Sequence, residues 1–498
     1  MAQSTAGTSL VSNYTASARV AAREVLVCWD GTNWVDETAR VMSCEIGHSL
    51  LNSQLGLPML GQGFSSEATL TLDNRDYRYS PDATGSIAQT YYPGGLYRVP
   101  IRINMGYGAE TLRQFTGEII DAPEAESTAR RWATFRCIDY SYPLRQLKHI
   151  TVAGWDQRAD QFMETLLTAA DAADPAFADR ATRALDHGMA VIPVVWSDEE
   201  NLWDQLGLLA ASETGTIHFS KEAEFRFWRQ TAFIERANSL TSVATLSLGR
   251  AFALSHEASW RNAYTQVNVE INPWMRGPVC DVYQSQDEIL VAPGETVTHW
   301  ARLSHVVASI TSPESGEDYQ AVSAGMADLS ASLSVTLTPY AQQAKLVFEN
   351  THASQSIYVL RMKLRGVPMI GYGDDKKEYV SALAALPGKK ELVVSGNAFL
   401  QTRQQAEMAG TRLRDLVQQP RRLVGFEGPL CPWLELGDRV TLPNESEALV
   451  VSLSISSSPT AMNMRLVLLP VDGLFPYTSY FTWGASSYAD ADSGRAYY

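Results

Sequence analysis

Positive charge, cysteine and long apolar runs are all in short supply in this chain of 498 residues. Lys plus Arg number 40 against 55 Asp plus Glu, a formal net charge of −15. A protein that grips a nucleic-acid backbone needs clustered positive charge, and no window here supplies it, so sequence-specific DNA or RNA reading is disfavoured. No run of about 18 apolar residues occurs, so no membrane-spanning segment is expected. The first twelve residues lack the basic-then-apolar order of a signal peptide. The five cysteines (Cys28, Cys44, Cys137, Cys280 and Cys431) are scattered, odd in number and without CxxC spacing. Buried, reduced thiols fit that pattern better than a disulfide framework.

What is present is a core-forming composition, 45% hydrophobic, and length for about three domains at roughly 150 residues each. From Arg23 to Leu147 short alternating runs are separated by turns: Val25 to Trp29, then Asp30-Gly31, then Trp34; Ala68 to Leu72; Val99 to Met105; Gln114 to Ile120; Trp132 to Ile138. Such spacing predicts a β-barrel or sandwich. Ala159, Phe162, Met163, Leu166 and Leu167 form one helical stripe. A second helix is expected to start at Ser197, with Glu200 completing a capping box. Ile217 to Trp228 reads as two strands around a turn at Lys221 to Glu224. Strands return from about residue 260, and the runs between 291 and 370 suit a small β-sandwich. A last helix starts near Thr402, capped by Gln405 and ending before Pro420. Three strands follow, Arg439 to Leu442, Ala448 to Ile455 and Met462 to Leu469. A strand-rich unit at each end raises the possibility of two related barrels.

Catalytic signatures are sparse. The eight histidines include no HExxH and no Cys/His cluster. The nearest pair, His299 and His305, would share a strand face but lacks further zinc ligands. Gly61-Gln62-Gly63 lacks the rest of a phosphate cradle and reads as a flexible connection. No GxSxG elbow is present, and Glu45 beside Cys44 would raise that thiol's pKa. Glu118, Asp121, Glu124 and Glu126 read as a solvated loop rather than a glycosidase pair. Asp198, Glu199 and Glu200 read as a helix N-terminus. No catalytic, cofactor or metal site is assigned.

Several segments, in order, resemble the tail-tip (baseplate) hub proteins of long-tailed bacteriophages. Leu70 to Pro81 is similar to that family's strand, Asn/Asp-rich turn and aromatic-Ser-Pro. Phe115-Thr116-Gly117-Glu118-Ile119 resembles its aromatic-x-Gly-x-Ile strand, and Phe135 to Asp139 follows. Leu202 to Gly215 with Phe225 to Phe227 resembles its second unit, and Leu434 to Val440 its Leu-Gly-Asp-x-Val strand entry. The positions carrying these motifs are Asp73, Asn74, Asp76, Ser80, Pro81, Gly117, Asp139, Gly215, Gly437 and Asp438, all read as turn-building.

The resemblance implies a mainly β chain with α+β parts. Its expected units are an N-terminal arm (1–23), a first hub β-barrel (24–147) and a mixed α/β domain (148–255). A second hub β-barrel (256–290 plus 376–470), an inserted β-sandwich (291–375) and a C-terminal tail (471–498) complete the set. It further implies a homotrimeric, non-enzymatic ring in the virion, made in the host cytoplasm. The ring would cap the six-fold tail tube or distal tail ring and surround a channel for the C-terminus of the tape measure protein and for DNA in transit. It would hold central fibre or receptor-binding proteins, with no cofactor. Any fibre or wall-degrading enzyme is expected on a separate polypeptide, and the acidic balance would suit channel walls that do not hold phosphate. The tail is expected to order against a neighbouring subunit or fibre protein. Two other readings are a carbohydrate-binding host-recognition module and a virion cell-wall hydrolase.

Overall fold

The computed structural model describes residues 7–16, 19–51, 63–92, 96–126, 130–148, 152–197, 201–229, 231–259, 264–371, 378–382, 390–417, 421–444 and 446–471. Gly61, Gln62, His149, Asp198 to Glu200, Pro420 and the tail beyond 471 lie outside them. With 47% strand against 19% helix, the chain is mainly β.

The largest element is a sheet of 14 strands, whose main path begins at Ala253–Ser259 and ends at Trp34–Asp36. Its centre is the antiparallel pairing of Val41–Ser49 with Glu447–Ser457, in register from Cys44 opposite Ser457 to Ser49 opposite Ser452. On the other side Val41–Ser49 pairs with Glu67–Asp73. The strand therefore spends both edges, one on each end of the chain.

Two hub-type β-barrel units were the expectation; among the described residues their strands join one large sheet, and no closed barrel occurs. An unpaired strand edge must be satisfied by another strand. Here the edge of the N-terminal strands is covered by a C-terminal strand instead of by closure on itself. The alternating inward residues then merge into one core: Cys44, Ile46, Leu70 and Phe135 share a buried cluster with Leu453, Ile455, Leu466 and Leu468. The segment that begins the chain adds to it. Thr8–Thr15 is a helix that buries Leu10 and Tyr14, with the Tyr14 ring edge-on to Trp433 at 5.2 Å.

The helix Ala159–Ala173 buries its stripe as the sequence led us to expect. Leu202–Ser212 starts later than expected: Asn201 caps it by accepting a hydrogen bond from the Asp204 amide at 3.3 Å. Ser197 lies before the helix, its amide donating to the Val152 carbonyl at 2.8 Å. Beside these helices lies a sheet ordered Thr182–Leu185, Glu224–Trp228, Thr216–Phe219, Gly63–Phe64. Its last strand comes from the N-terminal part of the chain. Gly63, expected in a flexible connection, is thus fixed against Ile217.

The strands between 282 and 364 share a separate core that includes Val291, Ala301, Leu346, Phe348, Ile357 and Val359. The last helix, Arg403–Val417, has the expected capping box, with Thr402 Oγ1 accepting from the Gln405 amide and Gln405 Oε1 accepting from the Thr402 amide.

Candidate assembly site

The aromatic-Ser-Pro motif folds into a buried polar knot. Asn74, fully buried, accepts the Tyr79 amide through Oδ1 at 3.0 Å. Its Nδ2 donates to Ser80 Oγ at 3.1 Å and to Glu124 Oε2 at 2.9 Å. Ser80 Oγ donates to the same carboxylate at 2.7 Å. Buried polar groups are tolerated when every one is partnered, and this side-chain set meets that demand. Beside it, the buried Glu37 carboxylate accepts from Trp29 Nε1 (3.0 Å), Arg78 Nη2 (2.7 Å) and the Tyr79 hydroxyl (2.7 Å). Asp76 takes a two-pronged grip from Arg40 at 2.8 and 2.7 Å, and Asp73 binds Arg75 two residues on. Pro81 sits in the following turn, half-buried.

Gly117 lies where strands press together: a Cβ there would stand 2.2 Å from the Ile138 carbonyl oxygen. Its neighbour Glu118 corrects the expectation of a solvated loop. It is fully buried and held by Arg98 at 2.9 Å and Arg180 at 2.7 Å, while Arg98 also reaches Asp174 at 2.6 Å. Burial raises its carboxyl pKa, against the pull of the two guanidiniums. Glu124 belongs to the Asn74 knot, and only Asp121 and Glu126 of that group are exposed. Asp139, also buried, accepts the Ser66 and Ser141 amides at 2.5 and 3.0 Å. Burial pushes its carboxyl up to about 6, its hydrogen bonds notwithstanding.

Gly215 and Gly437, distant in sequence, both lie against Trp228. A Cβ on Gly215 would come within 2.6 Å of the Trp228 carbonyl oxygen, and one on Gly437 within 2.8 Å of its ring. Gly437 also has φ +81, the left-handed region that favours glycine. Asp438 closes the turn by accepting the Glu435 amide at 2.8 Å.

Between these motifs lies a polar junction that the sequence reading did not mark. Lys221, expected in an ordinary hairpin turn, is buried. Its Nζ donates to Gln114 Oε1 at 2.6 Å and to the Pro432 carbonyl at 3.3 Å. Gln114 Nε2 donates to that same carbonyl at 2.9 Å. His48 Nε2 lies 2.9 Å from the Gln114 carbonyl oxygen, and its Nδ1 2.7 Å from Ser66 Oγ. Desolvation lowers the Lys221 pKa to about 8, although Glu435 and Asp438 favour its charge. Burial, and then the Lys221 charge, lower His48 to about 3. One residue from the seam strand, one from Glu110–Asp121, one from the mixed α/β region and one carbonyl from the C-terminal loop thus interlock.

The His48–Ser66 pair has the residue types of a nucleophile and base, but the far imidazole nitrogen meets a backbone carbonyl where a triad needs a carboxylate. Both side chains are buried. His299 bonds to the Tyr283 hydroxyl at 2.7 Å, and His305 falls beyond the strand Thr296–Arg302, so the two do not share a strand face. Among the described residues no cluster of three or more His, Cys, Asp or Glu could hold a metal. Four cysteines are buried as expected, but Cys280 is exposed. Cys44 is raised to about 12, with burial the larger cause and Glu45 the smaller. Among the described residues no helix is long and apolar enough to cross a membrane.

No protein-family model matches the chain, and no curated protein does. Solved structures do. The tail protein from Neisseria meningitidis MC58 superposes with a TM-score of 0.51 at 9% identity, over 92% of this chain and 98% of that one. The 43 kDa tail protein of prophage MuSo2 from Shewanella oneidensis gives 0.49 at 10% identity, over 91% and 99%. Prophage tail protein gp18 from Listeria monocytogenes EGD-e gives 0.41 at 9%, over 90% and 94%. The chain has the fold of the Neisseria tail protein, as the order of its motifs had implied.

Proposed function

We propose that this chain is a structural hub subunit of a phage tail tip, resident in the virion. The observation that carries the reading is the shared fold with the Neisseria tail protein, which leaves almost nothing of either chain uncovered. A structural role also accords with how the charged residues are used. Lys221, Glu118, Glu37 and Asp139 are all buried and joined to groups from other segments, an arrangement that ties elements together rather than presenting them to a substrate.

In this reading three copies form a ring, with units at 24–147 and at 256–290 plus 376–470 as its two hub-type parts. The 148–255 and 291–375 units lie outside that pair, and the arm (1–23) and tail (471–498) serve as connectors. The ring sits on the tail tube or distal tail ring, surrounds the tape measure terminus and the exiting DNA, and holds fibre or receptor-binding proteins. The motif positions act as turn-builders, and the chain does no chemistry. Light scattering and electron microscopy of the purified chain, alone and with phage tail-tube and distal-tail proteins, test this. Trimers that cap those rings are expected, and a monomer that joins neither would sink the proposal.

A further inference from the structure

The three-stranded sheet formed by Thr296–Arg302, Gln343–Asn350 and Leu333–Pro339 has one face in the core and one in solvent. Strand alternation sends Ala301, Leu346 and Phe348 inward and leaves Trp300 outward, 53% exposed. An indole on an open sheet face forgoes the burial that normally stabilises it. It does not stand alone: the Tyr340 ring lies 5.6 Å away at an interplanar angle of 33°, so the two form one shallow aromatic shelf.

The register defines what surrounds the shelf. Lys345 is directly opposite Trp300 on one side and Thr338 on the other. Arg302 lies two residues along the same face, exposed and opposite Gln343. Neither Arg302 nor Lys345 ion-pairs with another described residue, and the acidic Glu349 belongs to the far end of the face, opposite Thr296. In a chain of net charge −15, a shelf flanked by two unpaired cations is locally opposite in sign to the whole.

We propose that this shelf is a binding site for an acidic polysaccharide of a bacterial surface, with sugar rings stacked on Trp300 and Tyr340 and carboxylate or phosphate substituents met by Arg302 and Lys345. The C–H face of a pyranose carries slight positive charge and lies well on the negative face of an aromatic ring. Sugar hydroxyls suit the short Thr338 and the Gln343 amide, and anions suit the two cations. A protein partner would call for a wider apolar area, whereas the outward side chains around the shelf are mostly hydroxyl, amide or cationic, with Val347 beside Lys345 the apolar exception. This site goes beyond the hub reading and does not depend on it.

Native gel electrophoresis of the full chain through polygalacturonate, hyaluronate, alginate or neutral dextran tests the site. At least one acidic polymer should retard the protein, less so at high salt, and dextran should not. Trp300→Ala and Tyr340→Ala should each weaken retention at least tenfold, with Trp300→Phe restoring part of it, and the pair Arg302→Gln and Lys345→Gln should remove the salt dependence. Trp300 is exposed and Tyr340 half-buried, so the melting temperature should change little. Retention in none of the acidic polymers, equal retention in dextran, or retention indifferent to the aromatic variants overturns the proposal.

Discussion

The Lys221 ammonium lies 2.6 Å from the Gln114 side-chain oxygen, across a sequence separation of 107 residues. Among the described residues no carboxylate hydrogen-bonds to it. A buried cation with only neutral acceptors carries much of its desolvation cost, and the lowered pKa is the measure of that cost.

A pH-dependent test follows. With the folded pKa near 8 against an ordinary 10.5, the unfolded chain holds its proton more tightly between those values. Stability from this group therefore rises with pH across that window, by up to about 3 kcal/mol at ~1.4 kcal/mol per unit. Urea unfolding of wild type and Lys221→Met at pH 7 and pH 10 should show wild type gaining on the variant. A difference independent of pH would contradict the buried, charged lysine.

Glu213 titrates with the opposite consequence. Burial raises its carboxyl from 4.5 to about 7, despite the Met189 and Ala190 amides. Between those values the folded protein keeps a proton that the unfolded chain releases. The stability it contributes is complete below pH 4.5 and lost as pH rises through 7, about 3 kcal/mol in all. Relative to Glu213→Gln, wild type should lose that amount between pH 4.5 and pH 8 in chemical denaturation.

Two glycines separate packing constraint from mere presence in a strand. Gly117→Ala would drive a methyl into the Ile138 carbonyl, and should cost at least ~3 kcal/mol or abolish soluble expression. Gly47, in the seam strand, has open space where a Cβ would go. Gly47→Ala should stay within about 0.5 kcal/mol of wild type. Equal melting temperatures for the two variants would refute the assignment.

Glu118→Ala should destabilise by about 2 kcal/mol, as Arg98 and Arg180 lose both acceptor oxygens and a cavity opens between them. The figure is below the ~3–5 kcal/mol of a wholly buried pair because both guanidiniums reach solvent. Loss of the Glu118–Arg180 link, which ties the 174–180 segment to the strand, should also speed proteolysis there, which mass spectrometry of early fragments can read.

Much of the local structure was legible. The stripe from Ala159 to Leu167, the Thr402–Gln405 cap and the hairpin from Ile217 to Trp228 follow from periodicities and capping chemistry that act over a few residues. The seam strand Val41–Ser49 was not legible, because a bulge between Val41 and Ser43 shifts its alternation and a polar His48 takes an inward position. There it is satisfied by Ser66 and Gln114, a fact stated nowhere in the neighbouring sequence. Glu118 looked like a solvated charge and Lys221 like an ordinary turn residue for the same reason: their partners lie in distant segments.

The sequence by itself determined many of the local strands and helices, and the ordered motifs pointed to a tail-protein fold. Only the tertiary structure decided that Val41–Ser49 pairs with Glu447–Ser457 and joins the two ends in one core. Side-chain period is a property of neighbours along the chain. The choice of which strand covers an open edge, and which charge is taken from water, rests on packing among residues hundreds of positions apart.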